Sequence, residues 1–175
     1  MKRPVAAVVA AILALMLLSA CNTQKIPAKA PQLNVAFFAA GEIKIGDIQA
    51  AQLTTSWTDA KGGGYEADAF HPLQLREYRY GEISYDFTSS DVDASVYELE
   101  LQFGDKYPPQ SISVQRWNAV HIGTDSAAIQ DNGEPVVLVD NRFRVENDGY
   151  GYVYQVHAKW VNGNSYYAFC TNIPY

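Results

Sequence analysis

A chain of 175 residues with 48% apolar and 13% aromatic side chains has surface enough for a packed core, and its length fits one domain. Two cysteines exclude a disulfide scaffold or a four-thiolate zinc site. A formal charge of −6 with a pI near 4.9 argues against a nucleic-acid partner, whose phosphates need a basic face.

Met1-Lys2-Arg3 is a cationic start, and Val5 to Leu18 is an unbroken apolar run. That run is short of the ~20 residues needed to cross about 30 Å of hydrocarbon, but it suits a secretory signal. Leu18-Ser19-Ala20-Cys21 follows at once, with small residues before the cysteine. The four residues resemble the lipobox of bacterial lipoproteins. The resemblance implies cleavage before Cys21, acylation of its thiol, and a protein anchored to the cell membrane by lipid and facing outside the cytoplasm. The expected organisation is then a signal peptide over 1–20, a lipidated cysteine with a flexible tether over 21–32, and a single domain over 33–175. Removal of Lys2 and Arg3 leaves 11 basic against 19 acidic residues, a charge of −8. Repulsion from an anionic bilayer is expected to hold such a domain off the lipid, the acyl chains alone anchoring it. Asn22 to Gln32, with two prolines and no periodicity, reads as the tether.

From Leu33 onward the period is two, the signature of strands. Asn34–Phe38, Glu42–Ile48, Ala51–Thr58 and Gly64–Ala69 are candidates, with Asp59-Ala60-Lys61-Gly62-Gly63-Gly64 as a flexible hairpin tip. Glu82–Phe87 places Ile83, Tyr85 and Phe87 inward. Ser95–Phe103 sets Tyr97, Leu99, Leu101 and Phe103 on one face and Glu98, Glu100 and Gln102 on the other. Ser111–Trp117, Val136–Val139 and Asn141–Glu146 follow, the last with Phe143 and Val145 inward against Arg142, Arg144 and Glu146. Tyr152–Trp160 alternates Tyr152, Tyr154, Val156, Ala158 and Trp160 with Gln155, His157 and Lys159. The Asn162-Gly163 pair predicts a type I′ turn into Ser165–Cys170. No stretch keeps a 3.6-residue period over ten residues, so helices are expected to be short or absent.

Eight to ten short strands in this length predict an all-β fold, an antiparallel β-sandwich of the immunoglobulin-like kind. Asp148, four residues before Tyr152 at the start of a penultimate strand, resembles the tyrosine corner of immunoglobulin-like sandwiches. With Cys21 consumed by lipid, Cys170 in its apolar run reads as a small buried hydrophobe.

Catalytic spacing is missing. There is no Gly-x-Ser-x-Gly, Ser-x-x-Lys, Walker loop, His-x-His or His-Glu-x-x-His, so no catalytic residue, metal site or cofactor is assigned. Outward carboxylates such as Asp86, Asp91, Asp93, Glu98 and Glu100 read as a wet face. His71, in a loop beside Asp68 and Pro72, is the most site-like histidine. Trp57, Asp68 and His71 together are the candidate ligand-binding residues. Tyr78, Tyr80, Tyr107, Tyr150, Tyr167 and Tyr175 fall off the predicted inward faces and are candidates for an aromatic surface or for rim packing.

Thr54-Thr55-Ser56-Trp57-Thr58 with Gly64 to Leu73, and Gly151 to Trp160 with Ser165 to Phe169, resemble uncharacterised extracytoplasmic domains in lipoproteins of Gram-positive bacteria. That resemblance implies a module outside the membrane and brings no functional residue. The expected function is a non-enzymatic binding or interaction module for a carbohydrate, peptide or protein. The rival is a polymer-degrading enzyme or metal-dependent binder at Asp68 and His71.

Overall fold

Two-residue alternation decides the architecture, because a chain of short half-apolar strands buries its apolar faces by setting one sheet against another. The structure, a computed structural model, describes residues 25–39, 43–67, 71–74, 81–83, 96–123, 133–146 and 151–172. Among them eleven strands run in chain order: β1 (Asn34–Ala39), β2 (Ile43–Gln49), β3 (Ala51–Thr58), β4 (Gly64–Glu66), β5 (Gly81–Ile83), β6 (Val96–Gln102), β7 (Ser111–Asn118), β8 (Glu134–Val136), β9 (Arg142–Glu146), β10 (Tyr152–Trp160) and β11 (Gly163–Thr171). Among the described residues helix is limited to two single 3-10 turns, Pro72–Gln74 and Ala119–His121. The protein is an all-β sandwich.

One sheet has the order β2-β1-β6-β9 and the other β4-β3-β11-β10-β7-β8. The eleven strands exceed the eight to ten expected, each overlapping a segment marked by the alternation, and β4, β5 and β8 are only three residues long, β8 ending at Val136 so that residues 137–139 are not strand. Pairing also departs from a wholly antiparallel scheme. The last residues of β11, Phe169 to Thr171, take β5 as a parallel partner on the edge that β3 has already left.

The main core lies between the sheets. Leu99, Leu101, Val35, Phe143 and Val145 face it from the first sheet, and Trp57, Tyr154, Val156, Trp160, Tyr167 and Phe169 from the second. Tyr167, expected off the core, is fully buried, and its hydroxyl donates to the Pro31 carbonyl; burial pushes that phenol up to about 12. A second, smaller core covers part of the outer face of the second sheet. Leu53, Leu73, Trp117, Val153, Ala168 and Cys170 form it, so β11 is buried on both faces along its second half. Cys170 is buried there as predicted, its thiol 3.7 Å from the Gly81 carbonyl.

Leu53 and Trp57 lie on opposite sides of the same strand although both positions are odd. The reason is a bulge: Ser165 pairs with Thr55 but Tyr167 pairs with Gln52, and the extra residue on β3 inverts the alternation. The buried polar groups it creates are satisfied locally. Thr55 and Ser165 hydroxyls lie 2.7 Å apart, and the Gln52 amide donates to both.

Three local expectations change. The described part of the tether, Lys25 to Gln32, is docked: the Trp57 indole N–H donates to the Pro27 carbonyl at 3.0 Å, Ala30 is buried, and Ile26 packs on the core. The glycine-rich hairpin tip is ordered by Asp59, whose Oδ1 accepts from the backbone N–H groups of Lys61 and Gly63 at 2.8 and 2.9 Å. The β10–β11 turn is not type I′, since its central residues are Val161 and Asn162, and neither has a positive φ. A type I′ turn occurs instead at Asp140 (φ 50) and Asn141 (φ 62), which close Val139 onto Arg142. Tyr152 does open the penultimate described strand; Asp148 lies outside the described residues.

Candidate functional site

The predicted trio does not assemble. Trp57 faces the main core, 2% exposed, with its ring edge against Trp160 (5.4 Å between centroids) and Tyr107 (5.9 Å). His71 lies on the other side of the second sheet, edge-on to Trp117 at 5.1 Å. Its Nδ1 accepts from the Leu73 N–H at 3.3 Å, which starts the 3-10 turn and leaves the proton on Nε2. Asp68, Cys21, and the carboxylates Asp86, Asp91 and Asp93 lie outside the described residues. Of the candidate surface tyrosines, Tyr107 packs on the rim, its hydroxyl donating to Asn162 Oδ1; Tyr78, Tyr80, Tyr150 and Tyr175 lie outside the described residues.

His157, predicted to face outward, does so, stacked on Tyr166 of the neighbouring strand at 4.0 Å and nearly parallel. Both it and His71 titrate below 6.5. For His71 the cause is burial; for His157 it is burial, then the Lys159 charge, against a hydrogen bond with Asn164. An unfolded imidazole takes up a proton near 6.5 that the native one refuses, so the unfolded state binds more protons between 6.5 and the lowered native values. Stability is therefore complete above 6.5 and is lost as pH falls through that value toward and through the native ones. Urea midpoints should be lower near pH 5.5 than near pH 7.5, and H71Q/H157Q should shrink the difference; an unchanged difference in the double variant would exclude these histidines as its source.

A concave surface among the described residues lies elsewhere, on the flank where β9 ends one sheet and β8 ends the other. Between them runs a cleft of about 1050 Å³, with Arg116, Arg142, Arg144, Glu98 and Glu100 among its polar lining and Pro135, Val136, Val137 and Val139 as an apolar wall. Register builds its polar side. Glu100 stands opposite Arg142 and Glu98 opposite Arg144 across β6 and β9, giving ion pairs of 2.5 and 3.2 Å. The Gln102 amide donates to Glu100 at 2.8 Å, and Arg142 adds its hydrogen bond and charge, together holding that carboxyl below its ordinary range against a desolvation that raises it. Arg142 also lies over the Phe38 ring at 4.9 Å. Arg116 bonds Glu134 at 3.0 Å and lies over Tyr152 at 4.5 Å.

The apolar wall is unusual for a surface: Val137 is 83% exposed and Val139 68%. Lining charges balance, three arginines against Glu98, Glu100 and Asp140. Backbone direction adds a further feature. Arg142 exchanges both its N–H and C=O bonds with Val139, on the side away from β6. In an antiparallel ladder alternate residues point their backbone groups the same way, so the N–H and C=O of Arg144 also face outward, at an edge where no described strand pairs.

The fold and this flank define a two-sheet β-sandwich with a mixed apolar and ion-paired cleft along two strand edges. The chain matches no protein-family model, no curated protein and no solved structure.

Proposed function

We propose that the chain is a lipid-anchored extracytoplasmic lipoprotein, a non-enzymatic binding module that takes an extended polypeptide segment in the cleft between β8 and β9. The cleft carries this reading. Its balanced charges favour a ligand with no strong net charge, its valines supply apolar contact, and the outward backbone groups of Arg144 can extend the sheet by one strand. The anchor rests on Leu18-Ser19-Ala20-Cys21 behind a short apolar run.

The two halves are tested separately. Peptides selected from a random library on the immobilised protein should bind with slowed amide exchange at Arg144. The variant R142E/R144E, with both ion pairs turned into like-charge repulsion, should bind them at least about tenfold more weakly. Unchanged affinity would move the site elsewhere. Replacing Cys21 with Ala should move the protein from the membrane fraction to the soluble or signal-retained fraction and abolish incorporation of labelled fatty acid; labelling of the variant would refute the anchor.

A further inference from the structure

The described lysines are not spread over the acidic domain. Four segments meet at one end of the sandwich: the Trp57 indole binds Pro27, Thr58 N–H binds the Asn162 carbonyl at 2.9 Å, Tyr107 binds Asn162, and the Gln110 N–H binds the Lys159 carbonyl at 2.7 Å. The first segment brings two exposed lysines, Lys25 and Lys29, and the others one each, Lys61, Lys106 and Lys159. Asp59, Glu66 and Asp105 are the described acidic residues of the same segments, and the Asp59 carboxylate is turned into its own loop. Two large apolar side chains stand out here as well: Val161, 82% exposed at the tip of the β10–β11 hairpin, and Tyr65, 63% exposed beside Trp57 in the β3–β4 pair. Among the described residues this end carries five exposed lysines against three carboxylates, one of them turned into its own loop, so a domain acidic in total is basic here.

The same end receives the chain from Cys21. Six residue steps lead from Cys21 to Pro27, and at ~3.6 Å per step they span no more than about 22 Å. We propose that this end is a membrane-contacting face: Lys25, Lys61, Lys106 and Lys159 lie on the headgroups of an anionic bilayer, and Val161 reaches the interface between headgroup and acyl chain. Charge complementarity and chain length both select this occupant. The −8 total, which predicts repulsion from lipid, is a sum that hides the sign of the surface nearest the bilayer. The position of this face next to the bilayer rests on the lipid anchor proposed above; its affinity for anionic lipid does not.

The test uses the full-length protein purified from membranes and mixed with vesicles of phosphatidylcholine alone or of phosphatidylcholine with one-third phosphatidylglycerol. Amine-reactive labelling is read at each lysine by mass spectrometry, with Lys44 on β2, outside this end, as the internal reference. The four lysines should be protected at least about threefold relative to Lys44 on the anionic vesicles, and the protection should vanish in 0.5 M salt. The surface variant K61E/K106E should lose the protection of Lys25 and Lys159 while keeping the native circular dichroism spectrum. Equal labelling on both vesicle types, or protection that includes Lys44, would overturn the proposal. Failure of the anchor is distinguishable, because it appears as failure to float with phosphatidylcholine vesicles, where lysine charge contributes nothing.

Discussion

Phe169→Ala should lower the stability of the domain by about 3–5 kcal/mol, the cost of a fully buried aromatic removed from a packed core. Phe169 is 0% exposed and stacks on Tyr154 at 4.9 Å with an interplanar angle of 11°. It sits in β11, held by β10 on one edge and β5 on the other at that residue, so the backbone has little freedom to collapse into the space left behind. Neighbours fixed in this way leave a cavity, and the penalty adds to the lost burial. A fall of roughly 10 °C in Tm is expected for a domain of this size. Val161→Ala, on an exposed turn, should stay within about 0.5 kcal/mol. Urea denaturation of the two variants side by side decides the matter, and a Phe169 variant as stable as that control would show that the two-sheet core is wrongly placed.

Gly163→Ala should cost comparably, roughly 3 kcal/mol, for a different reason. A β-carbon at Gly163 would lie 2.2 Å from the Ser56 carbonyl oxygen and 3.0 Å from Trp57 Cα. Both are backbone atoms, so no side chain can swing aside, and β3 must part from β11 where Gly163 pairs with Trp57. The Trp57 indole would then move relative to Pro27, and tryptophan emission should shift with it. Gly64→Ala is the comparison: a β-carbon there meets nothing within 4 Å, and the loss of unfolded-state freedom should leave the protein as stable or slightly more so. Equal stability of the two variants would exclude the close approach as the reason for glycine at 163.

How much of this could be read from the residues depends on whether local period decides the outcome. β6 and β10 carry their faces in their alternation, and both strands form where the period places them. β3 does not, because the bulge opposite Tyr166 is dictated by pairing with a strand more than 100 positions away, and no local pattern encodes it. Trp57 consequently read as a candidate ligand residue while the fold makes it core. The covered outer face is also tertiary: Ala168 and Cys170 gain their cover from Leu73 and Trp117, which come from remote segments. The cleft was partly legible. Glu98 and Glu100 on one strand and Arg142 and Arg144 on another share a two-residue spacing, as a complementary cross-strand ladder requires. What the sequence lacked was the register that sets them opposite each other, and the path of Val137 to Asn141 that walls the cleft.

β11 is a central strand of its sheet and the last described one in the chain, and it alone joins the β4–β3 pair, the β10-β7-β8 set and β5 among the described strands. A ribosome therefore releases nearly every other strand before the piece that unites them. Until then the second sheet consists of unjoined fragments, and the long loops that must close make assembly slow. This order works as a timing device: the second sheet stays open while the chain emerges and closes only when its last described strand is free to pair.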